Sequence, residues 1–495
     1  MQNAIHNTKT CAVIGSGIAG LASAIRLAAN GYQVDVFEAN SCAGGKIRQS
    51  FEKGYRFDMG PSVITLPELI DELFELHGKN PRDYFTYTRL DHLFRYFFPD
   101  GTVINSYADV EKFGDEIEQK TTDSKARLFR YLDSARRKYE ITRPVFIEQS
   151  IHRLKDFYSR NVLEGVRRFA EIDAFSSMDT VNRSYFSDSH LVELMNYYAT
   201  YVGSNPFVAP GTLNVIQHLE INLGLCMSDK GIYSIVEALV KLAEEVGVRF
   251  HYNSRVEEIV VENKQAKGIK VAQEFLAFDE VMSNMDVYFT YNRLLPNQKQ
   301  PKLILKQEKS SSVIGFFWGI NNTYPEMQLH NMFFSENQKE EYDTVFNKKT
   351  VYHDPTMYIC ITSKHVKTDA PEGKENWFVL LNVPHNQGQD WEALVEQSRK
   401  NALRKINSML KTQLETYMET ETVLSPPEIE ARYSSAFGAL YGNSSNGRFA
   451  TFLRHANFSR RIKNLYFAGG SVHPGAGVPM CINSAKIAVN MLLED

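Results

Sequence analysis

CAVIGSGIAGLASAIRLAANGYQVDVFE, running from Cys11 to Glu38, is the stretch on which the reading of this chain turns. Cys11 to Ile14 is a short apolar run suited to a buried parallel strand. Gly15, Gly17 and Gly20 follow in G-x-G-x-x-G spacing, and Ile18 to Asn30 is rich in Ala and Leu, predicting a helix that Gly31 ends. Gln33 to Phe37 reads as a second strand with Glu38 at its tip. Gly15 permits the tight turn, Gly17 lets a pyrophosphate touch the backbone, and Gly20 lets the helix pack close to the strand. The helix N-terminus, opened by Ile18 and Ala19, offers free N–H groups and a positive dipole end to phosphate. Glu38 stands about 20 residues beyond the glycines, the position that grips ribose hydroxyls. A carboxylate there favours FAD or NAD and disfavours NADP, whose 2′-phosphate it would repel. Glycines alone would be weak evidence; strand, glycines, helix, strand and acid together predict a dinucleotide-binding unit.

The chain around this unit has 495 residues, a length that suggests two or three domains. With Lys+Arg 55 against Asp+Glu 59, the net charge of −4 gives no sign of nucleic-acid binding. The cysteines, Cys11, Cys42, Cys226, Cys360 and Cys481, are scattered and form no C-x-x-C pair. That pattern points to a reducing compartment and away from a disulfide framework or a structural zinc site. The polar opening MQNAIHNTKT leaves no room for a signal peptide, and no apolar run reaches the roughly 18 to 20 residues that span a bilayer. A soluble or surface-bound cytoplasmic protein is expected.

Further glycine loops extend the theme. Gly44-Gly45-Lys46 follows the ribose acid directly, and Lys46 would serve as a point charge for phosphate. A strand ending at Asp58 leads into Gly60-Pro61-Ser62-Val63, a turn that could bring backbone beside a flat aromatic ring, or simply form a strand-to-helix corner. Near the far end, Ile462 to Gly470 reads as a strand ending in paired glycines, Ser471 to Met480 as a tight loop, and Cys481 to Leu493 as a helix. This second strand–glycine–helix crossover points to FAD, since its helix N-terminus can face the pyrophosphate or the flavin carbonyl edge.

Between these segments, residues from about Tyr84 to Leu223 read as mostly helical and dense in aromatics, either the core of a second domain or the lining of a cavity for a long apolar ligand. Ser150 to Arg168 mixes Arg and Lys with Leu154, Phe157, Tyr158 and Val166, as a helix lying on an anionic membrane would, or one packed on its neighbours. Val248 to His251 and Val256 to Val261 read as strands, Lys267-Gly268 as a hairpin turn, and Phe278 to Asp286 as a strand running into a polar turn. Val313 to Ile320 and Trp377 to Val383 read as buried strands, and Glu392 to Leu414 as an amphipathic helix. His330 to Lys349 is polar and reads as a mobile surface segment. The expected division is a discontinuous FAD-binding domain (1–83, 224–286 and 428–495) and a substrate domain (84–223 and 287–427). The fold class is α/β: a Rossmann-like unit with an inserted α+β domain and a helical part that could face a membrane.

Together Gly15-x-Gly17-x-x-Gly20, Glu38, Gly44-Gly45-Lys46, D-x-G-P-S-V-I-T from Asp58 and H-P-G-A-G-V-P from His473 resemble the bacterial phytoene-desaturase family. These are FAD-dependent carotenoid desaturases with an amine-oxidase-like fold, and the resemblance covers essentially the whole chain. Within the family the chain is most similar to the 1-hydroxycarotenoid 3,4-desaturases. Lys46 stands where many members have Arg, which keeps the charge and loses the bidentate fork. The resemblance implies FAD contacts at the first glycine loop, Glu38, Lys46 and Ser62-Val63. It also implies adenine against the backbone of Val256, and pyrophosphate and flavin along Asn284 and the segment from Gly469 and Gly470 through Gly477, Val478 and Pro479 to Met480.

The implied chemistry is hydride transfer from an unactivated C–H of a long polyene to flavin N5 with loss of a neighbouring proton. Conjugation stabilises a carbocation-like transition state, so no strong protein base is required. His473 is the one catalytic nomination, because its loop should pass the flavin; a histidine that merely fixes the loop is the alternative. Reoxidation falls to oxygen, a quinone or another acceptor. Rival readings are an amine oxidase, a phytoene-type desaturase or a carotenoid isomerase. From another class comes a prenyl-protein binder of the Rab GDP-dissociation-inhibitor type, which would show a damaged FAD site. A water-insoluble substrate implies peripheral contact with the inner face of the cell membrane.

Overall fold

The computed structural model describes residues 8–153, 155–156, 160–447, 450 and 453–495. A five-stranded sheet is assembled from distant parts of the chain. Its order is Leu465–Phe467, Glu280–Ser283, Thr10–Ile14, Gln33–Phe37 and Arg249–His251, all parallel. Parallel neighbours need crossover connections. The first is the helix Ile18–Ala29, which packs against the sheet and against the C-terminal helix Val478–Glu494. Gly20 makes the close packing possible, since a Cβ there would lie 2.1 Å from the Gly15 carbonyl oxygen. Glu72 ties these helices together, meeting Arg26 at 3.2 Å and Lys486 at 2.8 Å.

The second large sheet has seven strands. Its order is Met418–Leu424, Ser312–Ile320, Glu375–Val383, Met357–Cys360, His330–Phe333, His92–Phe97 and Val103–Tyr107. Both Ser312–Ile320 and its partner Glu375–Val383 are apolar at successive positions because both faces of this sheet are covered. The period of two separates the roles. Ile314, Phe316 and Trp318, with Trp377, Val379 and Leu381, join one core with Ala402, Leu403 and Ile406 of the helix Trp391–Leu410. Val313, Gly315, Phe378 and Leu380 face the other way and line the cavity described below.

The structure corrects four expectations. Within the stretch read as helical from Tyr84 to Leu223, His92–Phe97 and Val103–Tyr107 are strands; Phe94, Tyr96 and Phe97 suit a pleated surface, and Gly101 turns the chain at φ 90°. His330 to Lys349 begins with a buried strand inside the seven-stranded sheet, His330–Phe333, too short to stand out among polar neighbours. The hairpin turn lies at Asn263-Lys264 (φ 49° and 61°), while Lys267-Gly268 sits within the strand Gln265–Val271. Gly268 is needed there for space, since a Cβ would lie 2.0 Å from the Leu276 carbonyl oxygen. In place of one long helix over Ser150 to Arg168 there is the helix Arg160–Arg167; Leu154, Phe157 and Tyr158 of that reading lie outside the described residues.

Candidate functional site

A single cavity of about 980 Å³ runs from the carboxyl ends of the parallel strands to the apolar face of the seven-stranded sheet. Gly15, Gly17, Ile18, Ala19, Glu38, Gly44, Gly45, Lys46, Gly60, Pro61, Ser62 and Val63 line it, with Val256, Asn284, Gly469, Gly470, Gly477, Val478, Pro479 and Met480. Of the expected site residues, Gly20 and His473 are the two that do not. Gly20 acts behind the wall, through the helix packing already described.

Three separate chain segments meet at Asn284. Its N–H donates to the Ile14 carbonyl at 2.8 Å and its side-chain amide to the Ala468 carbonyl at 2.8 Å. A Cβ at Gly17 would lie 2.8 Å from Asn284 Oδ1, and one at Gly469 would lie 2.8 Å from Nδ2. The glycines therefore make room for this amide as well as for a ligand. Gly44 donates to the Ser16 carbonyl at 2.9 Å, and a Cβ at Gly45 would come within 3.2 Å of Gly17 Cα, so the two glycine loops lie against each other.

Glu38 is buried with all its visible hydrogen bonds internal. Oε2 takes the N–H and hydroxyl of Ser16, and Oε1 takes the N–H and side-chain amide of Asn40. Ser16 and Asn40 were not singled out from sequence, although each neighbours a residue that was. Lys46 donates to the Leu440 carbonyl at 2.7 Å. Burial lowers its ammonium pKa, against the opposing charge of Asp286. Ser62 Oγ accepts from Tyr358 Oη at 2.7 Å, and Tyr358 in turn meets His330 Nδ1 at 2.8 Å. The helices Ile18–Ala29 and Val478–Glu494 both start at a glycine without a side-chain cap, Gly17 and Gly477, which leaves their first N–H groups for a ligand.

His473 is fully buried away from the cavity. Its Nε2 lies 2.8 Å from the Gln149 carbonyl oxygen, and its ring packs edge-on against Phe146 and His152. Burial pushes its pKa down to about 3, so it is neutral at physiological pH and holds its loop in place.

Sequence reading missed Arg454 and Glu220. Arg454 is 4% exposed, lines the cavity and forms no ion pair among the described residues. It donates to the carbonyls of Asn443 and Gly470, and its Nε has no partner among the described residues. Nothing in its local sequence marks it as a site residue.

These features fit a dinucleotide with a flavin at one end. Two uncapped helix N-termini, a cradle that a Cβ would fill, a buried arginine whose Nε is orphaned among the described residues and the buried Glu38 carboxylate converge on one wall. Residues 18–493 match the family described as flavin containing amine oxidoreductase, and the chain belongs to it. Its cofactor is FAD. Among curated relatives, it is 44% identical over 484 residues to a 1-hydroxycarotenoid 3,4-desaturase of Flavobacterium sp. strain P99-3, covering 98% of this chain and 99% of that one. It is 34% identical over 483 residues to a 4,4′-diaponeurosporene oxygenase of Staphylococcus aureus strain Newman, covering 97% of each. Solved structures share the fold at low identity. An oxidoreductase from Methanosarcina mazei superposes with TM-score 0.63 at 14% identity, over 98% of this chain and 100% of the other. Cyclohexylamine oxidase from Brevibacterium oxydans gives 0.62 at 15%, over 99% and 100%.

Proposed function

We propose that this chain is an FAD-dependent carotenoid desaturase that introduces the C3–C4 double bond of a 1-hydroxycarotenoid. The observation that carries the reading is the continuity of the cavity from the glycine loops to a surface of Val313, Phe378, Leu380, Leu219, Ile216 and Phe169. A polyene could lie along that surface with one end at the cofactor. FAD, when bound, accepts the hydride. The glycine loops, Glu38, Lys46 and Asn284 would hold its adenosine and phosphate portions, and the turn Gly60 to Val63 and the loop Gly470 to Met480 would flank the ring. The apolar walls exclude water and orient the chain of the substrate. His473 keeps its loop in position and takes no proton.

The cofactor domain would comprise 1–83, 224–286 and 428–495. In support, the first two of these segments supply four strands of the parallel sheet and the third supplies Leu465–Phe467. The remaining segments, 84–223 and 287–427, would form the substrate domain, and all seven strands of the second sheet fall within them. Peripheral docking on a membrane is part of the proposal. Gly165, Val166 and Phe169 line the cavity, while Leu163, Val166 and Phe175 are exposed nearby in sequence. Among the described residues no helix is long and apolar enough to cross a membrane. Oxygen or a quinone would reoxidise the flavin.

Incubation of the FAD-loaded protein with a 1-hydroxycarotenoid in liposomes tests the reading. A red-shifted product two hydrogens lighter is expected. A product that gains oxygen would favour the chemistry named for the Staphylococcus relative, and conversion of phytoene alone would keep the family and overturn the substrate.

A further inference from the structure

Glu220 is a buried acid that the reading above does not use. It lies on the short turn His218–Asn222 and is 1% exposed, yet it lines the cavity. Each carboxylate oxygen accepts one tyrosine hydroxyl, Oε1 from Tyr198 and Oε2 from Tyr201, both at 2.5 Å. Among the described residues no Lys, Arg or His forms an ion pair with it, and the cavity-lining cations Lys46, Arg255, Arg432 and Arg454 are not its partners.

A carboxylate in an apolar environment without a counter-cation is costly, and two neutral donors offset that only in part. Such a group is a functional candidate when it borders a ligand cavity. The positive charge that no described residue brings to Glu220 would be supplied by a ligand that develops it during reaction, and a polyene losing hydride does so. Burial raises the carboxyl pKa to about 7 against the two tyrosine hydrogen bonds, which pull it down. The other groups that face it are Tyr96 from the strand His92–Phe97 and Tyr197, and burial keeps these phenols protonated, as it does Tyr198 and Tyr201. The helix Lys125–Thr142, packed against the same turn, carries Arg136 and Glu140, whose charges act on His218 of that turn, and neither Arg136 nor any other cation of this helix forms an ion pair with Glu220.

We propose that Glu220 is the proton acceptor of the desaturation, and this rests on the desaturase reading. One C–H bond breaks with its electron pair leaving as hydride to oxidised FAD. The neighbouring C–H bond breaks with its pair left between the two carbons as the new π bond, and its proton binds the Glu220 carboxylate. The substrate loses two electrons, FAD gains them, and Tyr198 and Tyr201 hold the carboxylate in place.

The test is anaerobic flavin bleaching by a 1-hydroxycarotenoid in liposomes, followed from pH 5.5 to 8.5 in the full-length holoenzyme. The limiting rate should rise with pH through a transition near neutrality, because only the ionised carboxylate accepts a proton. Glu220→Gln should lower that rate by about 100-fold or more, the usual reach of general-base catalysis, and abolish the transition. Tyr201→Phe removes a donor to the carboxylate, so the transition should move to higher pH. FAD affinity, read by fluorescence quenching, should be unchanged in both variants. Independently of turnover, an infrared band of a protonated carboxyl should appear on acidification of the wild type and be missing from Glu220→Gln. Wild-type bleaching matched by Glu220→Gln, or a Tyr201→Phe profile that does not move, would overturn the assignment while leaving the desaturase reading intact. A change only in the preference for hydroxylated over plain polyenes would also overturn it. No bleaching by the wild type with any carotenoid would sink the desaturase reading and this assignment with it.

Discussion

Glu38 and Ser16 are joined twice: the Ser16 N–H donates to Glu38 Oε2 at 3.0 Å and its hydroxyl to the same oxygen at 2.7 Å. Ser16 sits between Gly15 and Gly17, so the acid at the tip of the second strand fixes the loop that ends the first. Cofactor affinity and loop shape should therefore fail together. In Glu38→Gln one acceptor becomes an NH2 group facing donors, which costs about 1–3 kcal/mol. FAD titration by fluorescence quenching should show a weakening of about 10-fold or more.

Gly20→Ala should be severe although Gly20 does not touch the cavity. The added methyl would sit 2.1 Å from the Gly15 carbonyl oxygen and 3.0 Å from Asn284 Oδ1. The helix must move out, at about 1–3 kcal/mol, and the Gly15 to Gly17 loop moves with it. A protein that purifies without yellow colour and melts at lower temperature is the expected result.

The Arg56 guanidinium bridges two acids, reaching Asp369 through Nε at 2.7 Å and Asp58 through Nη1 at 2.9 Å. Asp58 also accepts the N–H groups of Ile232 and Tyr233 at the start of the helix Tyr233–Glu245. Asp369→Ala leaves a buried guanidinium with half its partners, and stability in urea should fall by about 3–5 kcal/mol. A loss below 1 kcal/mol would show that water replaces the carboxylate.

The pH dependence around His473 has a definite sign. Burial holds its folded-state pKa at about 3, below the ordinary value near 6.5 of an unfolded chain. The unfolded state thus binds the extra proton, and the stability His473 contributes is present above about pH 6.5 and lost as pH falls toward 3. The melting-temperature difference between wild type and His473→Gln should shrink between pH 7.5 and pH 5. A difference that stays constant would mean the imidazole titrates alike in the folded and unfolded states, and one that grows would mean it is already charged in the folded state.

Leu163 and Phe175 are 63% and 61% exposed on the stretch that also supplies Val166 and Phe169 to the cavity. If this stretch docks on lipid, the double substitution Leu163→Asp with Phe175→Asp should reduce flotation with anionic liposomes several-fold. Flavin absorption should not change, since neither residue lines the cavity. Equal flotation of the two proteins would remove this stretch from the membrane contact.

The local pattern of the sequence determined the cofactor half of this protein. A strand, a glycine turn, a helix and a buried acid lie within Cys11 to Glu38, so steric and hydrogen-bonding demands between near neighbours leave a readable spacing. The same holds for Gly469 to Met480 at the far end. Where a strand was short or its partners remote, that legibility ended. His330–Phe333 looked like polar surface because its burial depends on His92–Phe97 and Met357–Cys360 from other parts of the chain. Tertiary structure alone placed Asn284 over the glycines, set His473 back from the cavity, and brought Arg454 and Glu220 to its wall. A side chain's exposure and charge partners depend on what long-range packing carries to it, and Glu220 is defined by Tyr198 and Tyr201 only after the turn His218–Asn222 folds back against the helix Tyr198–Val202.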